Sequence, residues 1–221
     1  MSLRVARDIV MQQDFDSAAL TPLCSLIHFI EQPGLYIGEV VHGDNVVGSF
    51  RVQAVGDGAA RQANIDLALV RGMQEPVHLV LAGGALVFHS SSGTIGYAVK
   101  LWRAGEKRRT VEFDSRKLGA DDLFGVTLLY PGNWEVTDEK DRPLCGLTVK
   151  ACKRSKKPYR APAAAMMGLG KESLEGEEPA SLKQVQTQVF KAEGRARIKV
   201  RLAQADRVAA SAAPAKVQWR P

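Results

Sequence analysis

The chain has 221 residues, 45% of them hydrophobic and 24% charged, which is enough apolar content for one large core or two small ones and excludes a disordered class. Its formal net charge of +6 sits in one segment: residues 150–160 (KACKRSKKPYR) hold six cations and no anion, and the remaining Lys+Arg balance the 24 Asp+Glu. No apolar run reaches the roughly 18 residues of a spanning helix, the first residues lack a signal-peptide pattern, and the three cysteines are too few for a disulfide scaffold; a cytoplasmic location with reduced thiols is expected.

Residues 1–33 read as an N-terminal segment with a short amphipathic helix. Asp16 or Ser17 can cap it, Pro22 fits its first turn, and Leu20, Leu23, Ile27 and Ile30 recur at helical spacing before Pro33 and Gly34 end it. On that face Cys24 and His28, four residues apart, could supply two metal ligands; a buried thiol beside a satisfied histidine is the simpler reading.

From Gly34 the period changes to two. In GLYIGEVVHGDNVVGSFRVQAV two β-rich runs flank His42-Gly43-Asp44-Asn45, a hairpin turn supplied by residues that tolerate positive φ. Further short apolar runs follow to residue 152, separated by turns such as Gly83-Gly84 and Pro131-Gly132-Asn133. Short strands at regular spacing without intervening helices predict a mainly β, antiparallel sandwich or barrel over 34–152, and no repeat of 20 to 50 residues accompanies them.

Residues 153–180 read as a linker, basic and then acidic, rich in Ala, Gly, Pro and Glu. Over 181–208 Val185, Thr187 and Val189 alternate, Glu193-Gly194 offers a turn, and Ile198, Val200 and Leu202 alternate again, which predicts a C-terminal β-hairpin; Leu182, Val185 and Val189 also satisfy a helical stripe. Residues 209–221 form the tail.

The stretch TVEFDSRKLGADDLFGVTLLYPGNWEVTDEKDRPLCGLTVKA resembles the C-terminal half of a cupredoxin, with Pro131-Gly132-Asn133-Trp134 as its turn and aromatic and Gly146-Leu147-Thr148-Val149 as its exit strand. The resemblance implies a Greek-key sandwich. It also implies that Asp138, Asp141 and Leu144 stand where the Cys, His and Met copper ligands of the family would be, with only His89 to offer an upstream imidazole. A blue-copper centre needs a thiolate and two imidazoles, so the resemblance implies the fold without the metal or electron transfer.

No nucleophile elbow, phosphate loop or zinc-binding helix motif occurs, so no enzyme activity and no cofactor are expected. His89 followed by Ser90-Ser91-Ser92-Gly93 could form an anion nest, against the simpler reading of a turn. The basic elements are the remaining candidates: Lys150, Lys153, Arg154, Lys156, Lys157 and Arg160 in the first, and Arg195, Arg197, Lys199 and Arg201 in the second, where they alternate with apolar residues to give one cationic strand face. The expected function is a non-enzymatic interaction or assembly subunit that docks on a protein partner or a second copy through its C-terminal basic arm. Binding of nucleic acid or another polyanion through the same cations is the alternative, and a metal-binding or redox accessory role the second.

Overall fold

The structure is a computed structural model that describes residues 9, 11–92, 96–105, 110–152, 162–169 and 179–206. The strands of the first part are β1 (Asp14–Asp16), β2 (Cys24–Ile30), β3 (Gly34–His42), β4 (Asn45–Val55), β5 (Gln62–Asp66), β6 (Val77–Leu81), β7 (Gly84–His89) and β8 (Ala98–Arg103), with a short helix, α1 (Leu67–Val70), after β5. The second part has β9 (Val111–Asp114), β10 (Leu123–Thr127), β11 (Gly132–Thr137), β12 (Pro143–Lys150), β13 (Ala165–Leu169), β14 (Ala180–Lys183), β15 (Thr187–Ala192) and β16 (Lys199–Ala205).

The described strands form three sheets. A central sheet has the order β13-β15-β10-β2-β7-β5; the first outer sheet is β6-β4-β3-β8-β9 and the second is β1-β16-β11-β12-β14. The chain winds between them: β4 and β6 pair in parallel in the first outer sheet, while β5 and β7 pair in parallel in the central one. β12 to β15 wind the same way. These windings arrange the sheets as a β-solenoid, not as the Greek-key, cupredoxin-like sandwich expected from the sequence. Leu26 and Phe124 face each other across the β2–β10 pair and are both fully buried, so the same face of the central sheet turns inward in both halves. One apolar cluster, including Phe15, Tyr36, Phe50, Phe88, Trp134 and Phe190, fills the interior.

The two halves are copies of one plan. Phe15, Asp16, Ser17, Leu20, Pro33 and Gly34 recur, each 98 residues on, as Phe113, Asp114, Ser115, Leu118, Pro131 and Gly132. The pairings repeat too, β2 to β8 matching β10 to β16, with β2 and β10 joined antiparallel at the junction. Local detail follows. Tyr36 Oη–H donates to the Gln32 carbonyl and Trp134 Nε1–H to the Tyr130 carbonyl, four residues back in each case. Leu23 and Asp121 share a positive φ of 73° and 68°, and so do Gly43 and Asp141, at 59° and 58°. The first strand of each copy crosses over: β1 pairs with β16 of the second half and β9 with β8 of the first. The repeat is longer than the 20 to 50 residues of solenoid repeats, and gaps shift its later strands, so a search at those periods misses it.

Three expectations are corrected by this arrangement. The helix expected from the Leu20, Leu23, Ile27 and Ile30 stripe does not form: residues 24–30 are the strand β2, in which Cys24, Leu26 and Ile30 are buried at even spacing while Ile27 and Phe29 point the other way. The helical spacing of Leu20, Leu23, Ile27 and Ile30 is real, but central-sheet pairing on both sides overrides it. The C-terminal hairpin is also absent. Its strands exist, but β15 pairs with β10 in the central sheet and β16 with β11 in the second outer sheet. The Pro-Gly-x-aromatic turn that suggested a cupredoxin is a repeated element of this fold, present as Pro33-Gly34-Leu35-Tyr36 as well.

Candidate docking surface

The outward faces of the two outer sheets occupy equivalent positions and differ in where they expose apolar side chains. In the first outer sheet the register aligns Leu35, Gln53 and Leu79 in one row and Val77, Arg51, Ile37, Trp102 and Val111 in the next. Val77 is 66% exposed, Leu79 52%, Val111 54% and Leu35 36%, whereas Trp102 is buried. The matching rows of the second outer sheet read Asn133, Thr148 and Ser181, then Gly146, Glu135 and Arg201. Scattered surface apolar residues are ordinary in any protein; an apolar set on one copy that is polar on the other is a difference the shared fold does not require.

The edges differ in the same sense. β14, the edge of the second outer sheet, starts after Pro179 and ends on Lys183, residue types that discourage strand addition. β6, the edge of the first, has Val77 and Leu81 at those places. Beside β6 a groove of about 660 Å³ is lined by residues that include Ser49, Arg51, Arg71, Met73, Glu75 and Val77. Gly48 shapes its floor, because a Cβ there would stand 3.0 Å from the Val70 carbonyl oxygen and push the loop after α1 off β4. Arg51 and Glu75 form an ion pair at 2.7 Å, both about half exposed, which adds little stability but fixes one charge of each sign in the groove.

The cationic strand face is present on β16 but its charges are engaged. Arg197 donates Nε–H and Nη2–H to the two Asp16 carboxylate oxygens at 3.0 and 2.6 Å. Lys199 reaches Asp141 at 2.8 Å and Arg201 reaches Asp14 at 3.4 Å. These pairs tie β1 and the β11–β12 turn to β16; Arg195 lies exposed in the loop before it. Lys150 ends β12 next to Lys183. Lys153, Arg154, Lys156, Lys157 and Arg160 lie outside the described residues. Their segment falls in a connection longer than its counterpart: 14 residues separate β12 from β13, where six separate β4 from β5.

Cys24 and His28 are not brought together. Four residues along a strand span about 13 Å, and each side chain is committed elsewhere. Cys24 donates Sγ–H to the Thr21 carbonyl at 3.0 Å, and burial pushes its thiol up to about 11, so it stays protonated. His28 Nδ1 lies 2.8 Å from Asp122 Oδ1, with its ring on Phe113 and Nε2 buried without a partner. Asp122 is the counterpart of Cys24, and both accept an N–H from three residues back. Among the described residues no group of three or more His, Cys, Asp or Glu is placed to hold a metal ion.

The other candidates are turn residues. Asp138 accepts backbone N–H groups from Lys140 and Arg142 and the Arg142 Nε–H at 2.7 Å; these outweigh its slight burial and hold its carboxyl below the usual range. Asp141 occupies the turn position of Gly43, and Leu144 packs against the core. The Ser90-Ser91 turn is capped from within: Asp66 Oδ1 accepts the Ser91 N–H at 3.1 Å. Asp66 is held low despite a desolvation that acts the other way, because Ser91 and Ala68 donate to it. The apolar rows were not found from the sequence because both faces of these strands carry apolar residues; only the register separates them. No protein family, no curated protein and no solved structure matches the chain. No helix among the described residues is long and apolar enough to cross a membrane.

Proposed function

We propose that this protein is a non-enzymatic interaction or assembly subunit that docks through the outward face and β6 edge of its first outer sheet. The observation that carries the reading is the contrast between equivalent rows: Leu35, Gln53 and Leu79 on one copy, Asn133, Thr148 and Ser181 on the other. Equivalent frames with different outer faces point to a use confined to one of them. The reading moves docking from the C-terminal basic arm expected from the sequence to this face, because Lys199 and Arg201 lie in a strand integral to the second outer sheet and Arg197, Lys199 and Arg201 pair with acids of the same chain.

Affinity capture with the full chain tests the reading. Leu79→Lys on the first outer sheet is expected to abolish capture of whatever the wild type retains, and Ser181→Lys at the equivalent position is expected to leave it intact. Equal retention by both variants would remove the first outer sheet from the docking surface.

A further inference from the structure

We infer that the occupant of the β6 edge is a second copy of this chain, added strand to strand about a two-fold axis; the inference rests on the docking surface proposed above. On its inner side β6 is held by β4. The Arg51 N–H donates to the Pro76 carbonyl at 2.9 Å and the Ala82 N–H to the Val55 carbonyl at 2.8 Å. In a parallel pair these bonds alternate, so residues 76, 78, 80 and 82 address β4, while 77, 79 and 81 turn their backbone groups to the other side. There the Leu81 N–H already donates to the Ala60 carbonyl at 2.8 Å. The unpaired stretch is Val77–Leu79, with no partner strand among the described residues.

That stretch is self-complementary. Setting it antiparallel to itself about His78 places Val77 opposite Leu79 of the second copy and Leu79 opposite its Val77, each pair exchanging two backbone hydrogen bonds. All four side chains at the seam then stand on the outward face, where Val77 and Leu79 are more than half exposed in one copy alone. Cross-strand contacts between apolar side chains of this kind are the unit of sheet stabilisation. Three further observations favour a copy over a foreign strand. β6 carries no charged residue, whereas an edge kept for solvent does, as Lys183 shows on β14. The groove beside it holds the Arg51–Glu75 pair, one charge of each sign, which a two-fold can oppose to its own image without repulsion. Within the chain, β2 and β10 already join the two equivalent halves by antiparallel strand addition.

Sedimentation velocity of the full chain over a wide concentration series tests this. The wild type is expected to dimerise, with Leu79→Lys weakening the dimer by on the order of a hundredfold because the two-fold places the change twice in the seam. Leu79→Pro, which removes the N–H without adding charge, should weaken it similarly, and Ser181→Lys should not change it. Circular dichroism of each variant separates loss of association from loss of fold. A wild type that stays monomeric at its highest soluble concentration overturns the inference, as does a dimer indifferent to both Leu79 changes. A monomer that nevertheless captures a partner in a Leu79-dependent way overturns the second copy but keeps the docking surface; indifference of capture to Leu79 removes the surface itself.

Discussion

Ser17 and Ser115 offer a matched pair of perturbations. Both are fully buried. The Ser17 N–H donates to the Ile198 carbonyl at 2.9 Å and its hydroxyl accepts the Ile198 N–H at 3.1 Å. Ser115 does the same with Val99, at 3.0 and 2.9 Å. Replacing either by alanine removes only the hydroxyl acceptor and leaves one buried backbone N–H without a partner, a loss of about 1–3 kcal/mol. In a protein of this size each kcal/mol lowers Tm by roughly 2–4 °C, so Ser17→Ala and Ser115→Ala should each lower it by about 2–12 °C. The two serines share no bonding partner, so the double variant should show the sum within about 0.5 kcal/mol. Thermal and urea denaturation followed by circular dichroism measure this, with exposed Ser181→Ala as a control expected within about 0.5 kcal/mol of the wild type. A clear loss in one variant with none in the other would refute the equivalence of the two halves at these crossover strands.

Val185 holds a φ of 67° where its counterpart is Gly83 at 80°, the Gly83 N–H donating to the Ile30 carbonyl at the end of β2 and the Val185 N–H to the Leu128 carbonyl just after β10, so Val185→Gly should relieve about 1 kcal/mol of backbone strain and raise Tm; an unchanged or lower Tm would argue against stored strain. Gly38 lies under the Phe50 ring, where a Cβ would stand 2.1 Å from Cζ, so Gly38→Ala should destabilise by about 1–3 kcal/mol or more and be partly rescued by Phe50→Leu, as a double-mutant cycle in urea would show. His78 packs against Phe50, and burial holds its pKa below the ordinary 6.5. Its contribution to stability is therefore complete above about pH 6.5 and is lost as pH falls through the lower folded value; urea midpoints across that window should fall less for His78→Leu than for the wild type.

The hairpin of β3 and β4 was legible because apolar alternation flanks a Gly-Asp-Asn turn, and strand character at 187–192 and 199–205 was legible for the same reason. β2 was not. Its residues satisfy period two through Cys24, Leu26 and Ile30 and a helical stripe through Leu20, Leu23, Ile27 and Ile30, and only pairing with β7 and β10 decides between them. The parallel returns of β4 to β6 and β12 to β14 leave no local mark, since a strand looks alike whichever neighbour it takes. The duplication does leave one, in the recurrence of Phe-Asp-Ser and Pro-Gly, but at 98 residues it lies beyond the periods of ordinary repeat proteins. Of the cationic alternation over Arg195, Arg197, Lys199 and Arg201, only Lys199 and Arg201 fall within β16; the acids that pair with Arg197, Lys199 and Arg201, namely Asp16, Asp141 and Asp14, come from distant parts of the chain.

The docking account is tested most directly by thiol reactivity at equivalent positions. With exposed Cys152 replaced by serine, a single cysteine is introduced as Leu79→Cys in one protein and Ser181→Cys in the other, and maleimide labelling is timed at native concentration and after dilution. Occupation of the β6 edge is expected to slow labelling at position 79 at least about tenfold at native concentration, with recovery on dilution, while position 181 labels equally fast throughout. Equal rates at both positions under both conditions would contradict it.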